Sequence, residues 1–205
     1  MKSVLYPGLI ILTISSFINC EKGMNPFIPN NGSDSFYPLH IGNQWTYSNQ
    51  WTYNGQFQNT ESVVDSATFN GLTYFNIEGS HVIQPDFWIR ESDNAVYFFD
   101  PESNNEHILF DFRAKSGDSW DMPDGFGCTV GDRIELLSDS ETISAPIGTF
   151  HNCYHFHHKT RCMDGGLRDT WFVKGIGVVK SVQDSWFGYQ EYLLVSYSFT
   201  KSIEY

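Results

Sequence analysis

Apolar and polar residues alternate through most of the chain after residue 36. From Trp45 to Tyr53, aromatic residues hold every second position apart from Asn49, so they share one face of a strand. Asn54-Gly55 ends this run and Asn70-Gly71 ends the next, and Asn-Gly pairs favour two-residue hairpin turns. The pattern therefore predicts a series of antiparallel strands joined by tight turns.

Short apolar runs continue to the end of the chain, and helix signals are scarce. We predict an all-β or nearly all-β fold, an antiparallel meander of about ten strands that forms a curved half-barrel. A closed lipocalin-like barrel is the alternative, although Gly42-Asn43-Gln44-Trp45 lacks the lipocalin Gly-x-Trp spacing. The later candidate strands are Leu72–Ile77, Phe87–Arg90, Ala95–Phe99, His107–Phe112, Thr129–Leu137, Thr149–His158, Arg168–Val173, Gly177–Val182 and Tyr189–Phe199.

The first residues have the pattern of an export signal. Lys2 precedes the apolar run Leu9 to Ile14, which is shorter than the about 20 residues of a membrane-spanning helix. Cys20 follows closely, and this arrangement resembles the lipobox of bacterial lipoproteins, whose cysteine is acylated and becomes the new N-terminus. Ordinary secretion and an uncleaved anchor are the alternatives. We expect a signal peptide over 1–19, a flexible tether over 20–35 and a single β domain over 36–205.

Charge and cysteine content narrow the location and the partners. The chain carries 24 acidic and 12 basic residues, a net charge of −12, which disfavours nucleic acid as a partner. With Cys20 acylated, three cysteines remain, and an exported protein can keep a disulfide. A hairpin centred between Ser144 and Ala145 would bring Cys128 close to Cys162, so we predict a disulfide between them.

Several segments together resemble an uncharacterised family of bacterial envelope lipoproteins. They are Tyr37–Tyr47, Phe110–Phe112, Gly117–Trp120, Ala145–Phe150 and Trp171–Lys180, which include the Gly-Thr-Phe and Trp-Phe-Val-Lys-Gly-Ile-Gly-Val-Val-Lys motifs. Members are mostly lipoproteins or secreted proteins with no assigned activity. The resemblance implies a location in the cell envelope, anchored to a membrane by lipid and facing the periplasm or the surface, and implies no chemistry.

One segment has residues suited to binding a metal. In an extended strand over 151–158, alternate side chains point the same way, so His151, Cys153, His155 and His157 would form one stripe. Imidazole and thiol groups are ligands that zinc and copper favour, but four positions along one strand span too far for a single ion. A neighbouring pair would need a third ligand from elsewhere, such as His81, His107 or Asp164. The alternative is a solvated polar face.

The sequence contains no familiar motif for a catalytic nucleophile, a zinc protease or a phosphate-binding loop. Our leading hypothesis is a non-catalytic envelope protein that binds an apolar ligand or a protein partner. A metal-binding protein is the second hypothesis. A hydrolase whose residues converge only in the fold is the third.

Overall fold

The computed structural model describes residues 34–51, 55–83, 86–122, 132–160, 165–186 and 188–200, which form a single antiparallel β-sheet of twelve strands. The predicted signal peptide and Cys20 lie outside the described residues. The strands are β1 (Gln44–Trp51), β2 (Gly55–Phe69), β3 (Leu72–Glu78), β4 (Trp88–Ser92), β5 (Ala95–Asp100), β6 (Asn105–Asp111), β7 (Ser119–Asp121), β8 (Arg133–Ala145), β9 (Gly148–Lys159), β10 (Gly165–Val173), β11 (Gly177–Ser185) and β12 (Gly188–Ser198).

The sheet consists of two six-stranded meanders. Its order is β6-β5-β4-β3-β2-β1-β12-β11-β10-β9-β8-β7, so every neighbouring pair except β1 and β12 is adjacent in the chain. The sheet is strongly curled. Phe110 on β6 and Phe172 on β10 lie many strands apart in the sheet order, yet their ring centroids are 4.7 Å apart. At the edges, the Trp120 indole of β7 donates a hydrogen bond to the Leu109 carbonyl of β6 at 3.3 Å.

The predicted fold class is confirmed. The described residues form no helix, and the antiparallel sheet curves without closing into the alternative barrel. Twelve strands replace the predicted ten or so, and the short β7 was not predicted. The predicted centre of the β8–β9 hairpin was wrong: Ala145 pairs with Gly148, which places the turn at Pro146 and Ile147. Proline suits the first central position of such a turn because its ring fixes φ.

The concave side of the sheet is filled by aromatic and aliphatic side chains. Phe110, Phe156 and Phe172 pack against one another, with ring centroids 4.7–5.9 Å apart. Trp45 and Tyr47 on β1 are fully buried, and their polar atoms donate to backbone carbonyls of residues 176 and 178. Burial of these large rings accounts for the alternating aromatic pattern of the sequence.

Two non-strand segments, residues 34–43 and 79–83, cover the concave side, and a glutamate holds each one. Glu91 on β4 accepts hydrogen bonds from the backbone N–H groups of Phe36 at 2.6 Å and Tyr37 at 3.0 Å. Glu61 on β2 accepts from the Ser80 hydroxyl at 3.1 Å and the His81 N–H at 2.8 Å. These bonds attach both segments to the sheet in defined positions.

Candidate functional site

Strand β9 presents part of the predicted histidine stripe on the convex face. Tyr154, Phe156 and His158 point into the aromatic core, where they contact Phe112 and Phe110 at ring separations of 5.1–5.8 Å. The opposite face of the strand carries the other histidines. The core side of β9 therefore follows the alternation that the sequence predicts.

His155 lies between two carboxylates. Its Nδ1 is 2.8 Å from Oε1 of Glu141 on β8, and its Nε2 is 3.0 Å from Oδ1 of Asp169 on β10. The ring stacks on Trp171 at 4.1 Å, and the Trp171 indole donates to Oε2 of Glu141 at 2.7 Å. Since carboxylates only accept, this geometry is satisfied when both ring nitrogens carry a proton. Burial opposes that charge, but the bonds to Asp169 and Glu141 outweigh it and raise the pKa of His155.

Asp169 is the centre of this charged cluster. Besides His155, its carboxylate accepts from Nδ1 of His157 at 2.8 Å and from Nε of Arg168 at 2.8 Å. Burial alone would raise the pKa of Asp169, but these donors hold it well below its usual value. Arg168 also donates to Asp184 on β11 at 2.8 Å. The cluster thus links β8, β9, β10 and β11 on the convex face.

A β-bulge separates His151 from the rest of the stripe. Asn152 has a φ of 56°, and the register of β9 against β8 shifts between Phe150 and Cys153. His151 is exposed and its Nδ1 lies 3.1 Å from the Thr142 hydroxyl. Cys153 is a buried free thiol, and burial raises its pKa to about 11. Beyond the bulge, His155 and His157 form a pair, because both rings bind the carboxylate of Asp169 on β10.

The structure distributes the suggested third ligands elsewhere. His81 lies on the concave side against Glu61, His107 stacks on Phe98 of β5, and Asp164 lies outside the described residues. Within the described ranges, no group of three or more His, Cys, Asp or Glu side chains has the arrangement needed to hold a metal ion. Zinc or copper binding at His155 and His157 stays a prediction, which a melting experiment with added metal would test.

Sequence reasoning missed the partners of these histidines. Glu141, Asp169 and Trp171 come from the strands on either side of β9. The positions of Asp169 and Trp171 could have been predicted from the meander. They lie two residues apart on β10, the strand after β9, and therefore point to the same face. The location of Glu141 depends on the bulges of β8, which no pattern in the sequence predicts.

Cys128 and Cys162, the partners of the predicted disulfide, lie outside the described residues, as does Cys20. The pairing stays a prediction. Peptide mapping of the non-reduced protein would test it, and a peptide linking Cys153 to either partner would contradict it.

A cleft of about 320 Å³ lies between residues 35–43 and strands β3 and β4. Its charged lining residues already have partners: Arg90 binds Glu106 with Nη2 at 2.6 Å, and Glu91 holds the 34–43 segment. The volume is at the lower limit for ligand pockets of about 300–1,000 Å³. The charged side chains of the cleft are therefore already engaged in bonds within the protein and are poorly suited to binding a ligand.

Large side chains are exposed at one end of the sheet, near the β1–β2 and β11–β12 turns. Trp186 is 69% exposed, Phe57 56% and Tyr189 53%. The chain enters the domain at the opposite end, where Asp34 pairs with Lys174 in the β10–β11 turn. Strand β11 runs between the two ends and spans roughly 26 Å. We call Phe57, Trp186 and Tyr189 the aromatic end.

No helix among the described residues has the length and apolar character required to cross a membrane. The chain matches no family model and no curated protein.

Two solved bacterial structures are similar to this chain. One is a protein from Bacteroides fragilis NCTC 9343 described as exported, with a YmcC-like fold; the match is 14% identical, covers 80% of this chain and 99% of that chain, and has a TM-score of 0.47. The other is described as a lipoprotein from Parabacteroides distasonis ATCC 8503; the match is 14% identical, covers 81% and 99% of the two chains, and has a TM-score of 0.44. Neither match identifies a ligand or a reaction.

Proposed function

We propose that this protein is a lipid-anchored lipoprotein of the bacterial cell envelope that acts as a binding protein, not an enzyme, and that its ligand is a protein partner. The lipobox-like sequence at Cys20 and the resemblance of the mature segments to envelope lipoproteins support the location. The filled concave side favours a protein partner over a small apolar ligand, since burial occupies the volume that such a ligand would need.

The observation that carries the proposal is the aromatic end. Exposed aromatic side chains are enriched at protein interfaces because each ring offers a large contact area with little loss of conformational entropy. The aromatic end lies roughly 26 Å from the point where the chain enters the domain. A partner could thus reach it while the lipid of Cys20 stays in the membrane.

Site-specific photo-crosslinking in intact cells tests this assignment. A photoreactive residue at position 186 should give a discrete adduct with one protein, because Trp186 is the most exposed large side chain of the aromatic end. Position 41 is the matched control: Ile41 is also exposed and apolar, at 46%, but it lies at the opposite end of the sheet. The absence of an adduct at position 186, or the same adducts from both positions, would contradict the proposal.

The lipid anchor is tested separately. Cys20→Ser should release folded protein into the soluble fraction, because acyl burial contributes about 0.8 kcal/mol per CH₂ to membrane attachment and the substitution removes the acylated thiol. Fractionation followed by circular dichroism of the soluble protein checks both points. Retention of the Cys20→Ser protein in the membrane would indicate an uncleaved helix instead.

A further inference from the structure

The ring of His81 is enclosed on the concave side by three side chains. It stacks on Tyr192 with centroids 4.1 Å apart and planes 11° from parallel, and Tyr47 meets it edge-on at 4.5 Å. Its Nδ1 lies 2.5 Å from Oε1 of Glu61. The His81 side chain is only 3% exposed and that of Glu61 is fully buried. The imidazole therefore occupies a slot with aromatic walls and a carboxylate at one side.

The walls of the slot lie on strands of the sheet, whereas His81, which fills it, lies on a non-strand segment. Glu61, Tyr47 and Tyr192 lie on β2, β1 and β12, which are neighbours in the sheet, so extensive ladders fix their relative positions. His81 belongs to the 79–83 segment, which is held by individual bonds such as the one between the Gln183 amide and the His81 carbonyl. The walls would thus persist if the histidine side chain were removed.

The slot is selective for a particular chemistry. Nδ1 of His81 lies close to Oε1 of Glu61 but forms no hydrogen bond with it, whereas a carboxylate oxygen, which only accepts, is best satisfied by an N–H that is aimed at it. Among the described residues, Oε2 of the fully buried Glu61, both ring nitrogens of His81 and the Tyr37 hydroxyl have no hydrogen-bond partner. Tyr37 is nevertheless near enough for the Glu61 charge to add to burial in raising its pKa. Buried acceptors without partners are costly, so a ligand that donates a hydrogen bond to Oε2 of Glu61 would be stabilised there.

We infer that Tyr47, Tyr192 and Glu61 form a binding slot for a small planar nitrogen heterocycle that can donate an N–H, and that the chain fills this slot with its own His81. An external ligand of this class, of which imidazole is the smallest, must displace the His81 ring. The inference is independent of the proposed partner at the aromatic end.

The full-length His81→Gly variant tests the slot with free imidazole. At about pH 8, above the ordinary imidazole pKa of about 6.5, neutral imidazole should bind the vacated space and raise the melting temperature of the variant by about 3–6 °C near saturation. The wild-type protein should show no such rise, because His81 occupies the slot. If His81→Gly is unfolded alone, imidazole should restore its far-ultraviolet circular dichroism.

Two controls separate the slot from general solvent effects. 1-Methylimidazole keeps the aromatic ring but has a methyl group in place of the N–H, so it should give less than about a third of the imidazole shift. Adding Glu61→Gln to His81→Gly should reduce the difference between the two compounds, because an amide oxygen accepts more weakly than a carboxylate. Equal shifts with both compounds in the single variant, no shift at all, or a variant that stays unfolded at every imidazole concentration would overturn the inference.

Discussion

Removing the carboxylate of Asp169 should weaken the convex face of the sheet by a predictable amount. Asp169 accepts from His155, His157 and Arg168, and its side chain is 12% exposed. Hydrogen bonds to charged groups contribute about 1.5–3 kcal/mol each when buried, but Arg168 is 40% exposed and solvent screens its share. Asp169→Asn should therefore lower the free energy of unfolding by about 2–3 kcal/mol and the melting temperature by roughly 5–10 °C.

The loss should depend on pH in a defined direction. The pKa of Asp169 is lowered in the folded protein, so its contribution is fully present above the unfolded value of about 3.9 and is lost as the pH falls further. The pKa of His155 is raised, so its contribution is present below about pH 6.5 and is lost as the pH rises through the folded value. The difference between wild type and Asp169→Asn should be largest between about pH 4 and pH 6.5.

Urea unfolding followed by tryptophan fluorescence measures this difference at several pH values. Asp184→Asn is the matched control, because Asp184 also binds Arg168 but its side chain is 47% exposed, and it should cost less than about 0.5 kcal/mol. Equal losses for the two variants, or a loss for Asp169→Asn that does not change with pH, would refute the assignment of Asp169 as the centre of the cluster.

Three further predictions follow from buried or constrained residues. Burial lowers the pKa of His158 to about 3, so His158→Gln should flatten the acid-side decline of the unfolding free energy by up to about 1.4 kcal/mol per pH unit below pH 6.5 or so in the same urea assay. The Cys153 thiol should react with a maleimide only after unfolding, and labelling of the folded protein would contradict its burial. Gly165→Ala would place a Cβ against the Asp184 carbonyl at a φ of +94° and should cost about 3 kcal/mol or more in thermal unfolding, whereas Gly71→Ala, with open space around it, should cost about 1.

The two Asn-Gly pairs differ in how well they predict the position of a hairpin turn. Asn70 and Gly71 have φ values of 51° and 79°, and they form the expected two-residue turn between Phe69 and Leu72. Asn54-Gly55 has the same composition, yet Gly55 is already part of β2 and pairs with Trp51. The register of a strand is set by which face is buried as well as by the turn, so an Asn-Gly pair alone does not fix the turn centre.

The candidate site was harder to predict than the fold because it depends on bulges. The period-two pattern places Phe156 and His158 on the face of the strand opposite the histidine stripe, and both side chains are buried. It could not locate the extra residue at Asn152, since a single left-handed residue leaves no periodic trace in the sequence. Glu141 and Asp169 reach His155 only through the irregular pairing of β8 with β9 and the next strand of the meander.

The arrangement of the sheet as two meanders has a consequence for how the chain folds. Ten of the eleven strand pairings join consecutive strands and need only short loops to close, whereas β1 and β12 are separated by most of the domain. Closing a long loop loses chain entropy before any contact between its two ends has formed to stabilise it. We therefore expect the two halves to form their hairpins independently and the joining of β1 to β12 to be the slow, rate-limiting step. Mutations in that ladder should slow refolding, while mutations in the outer hairpins should mainly speed unfolding.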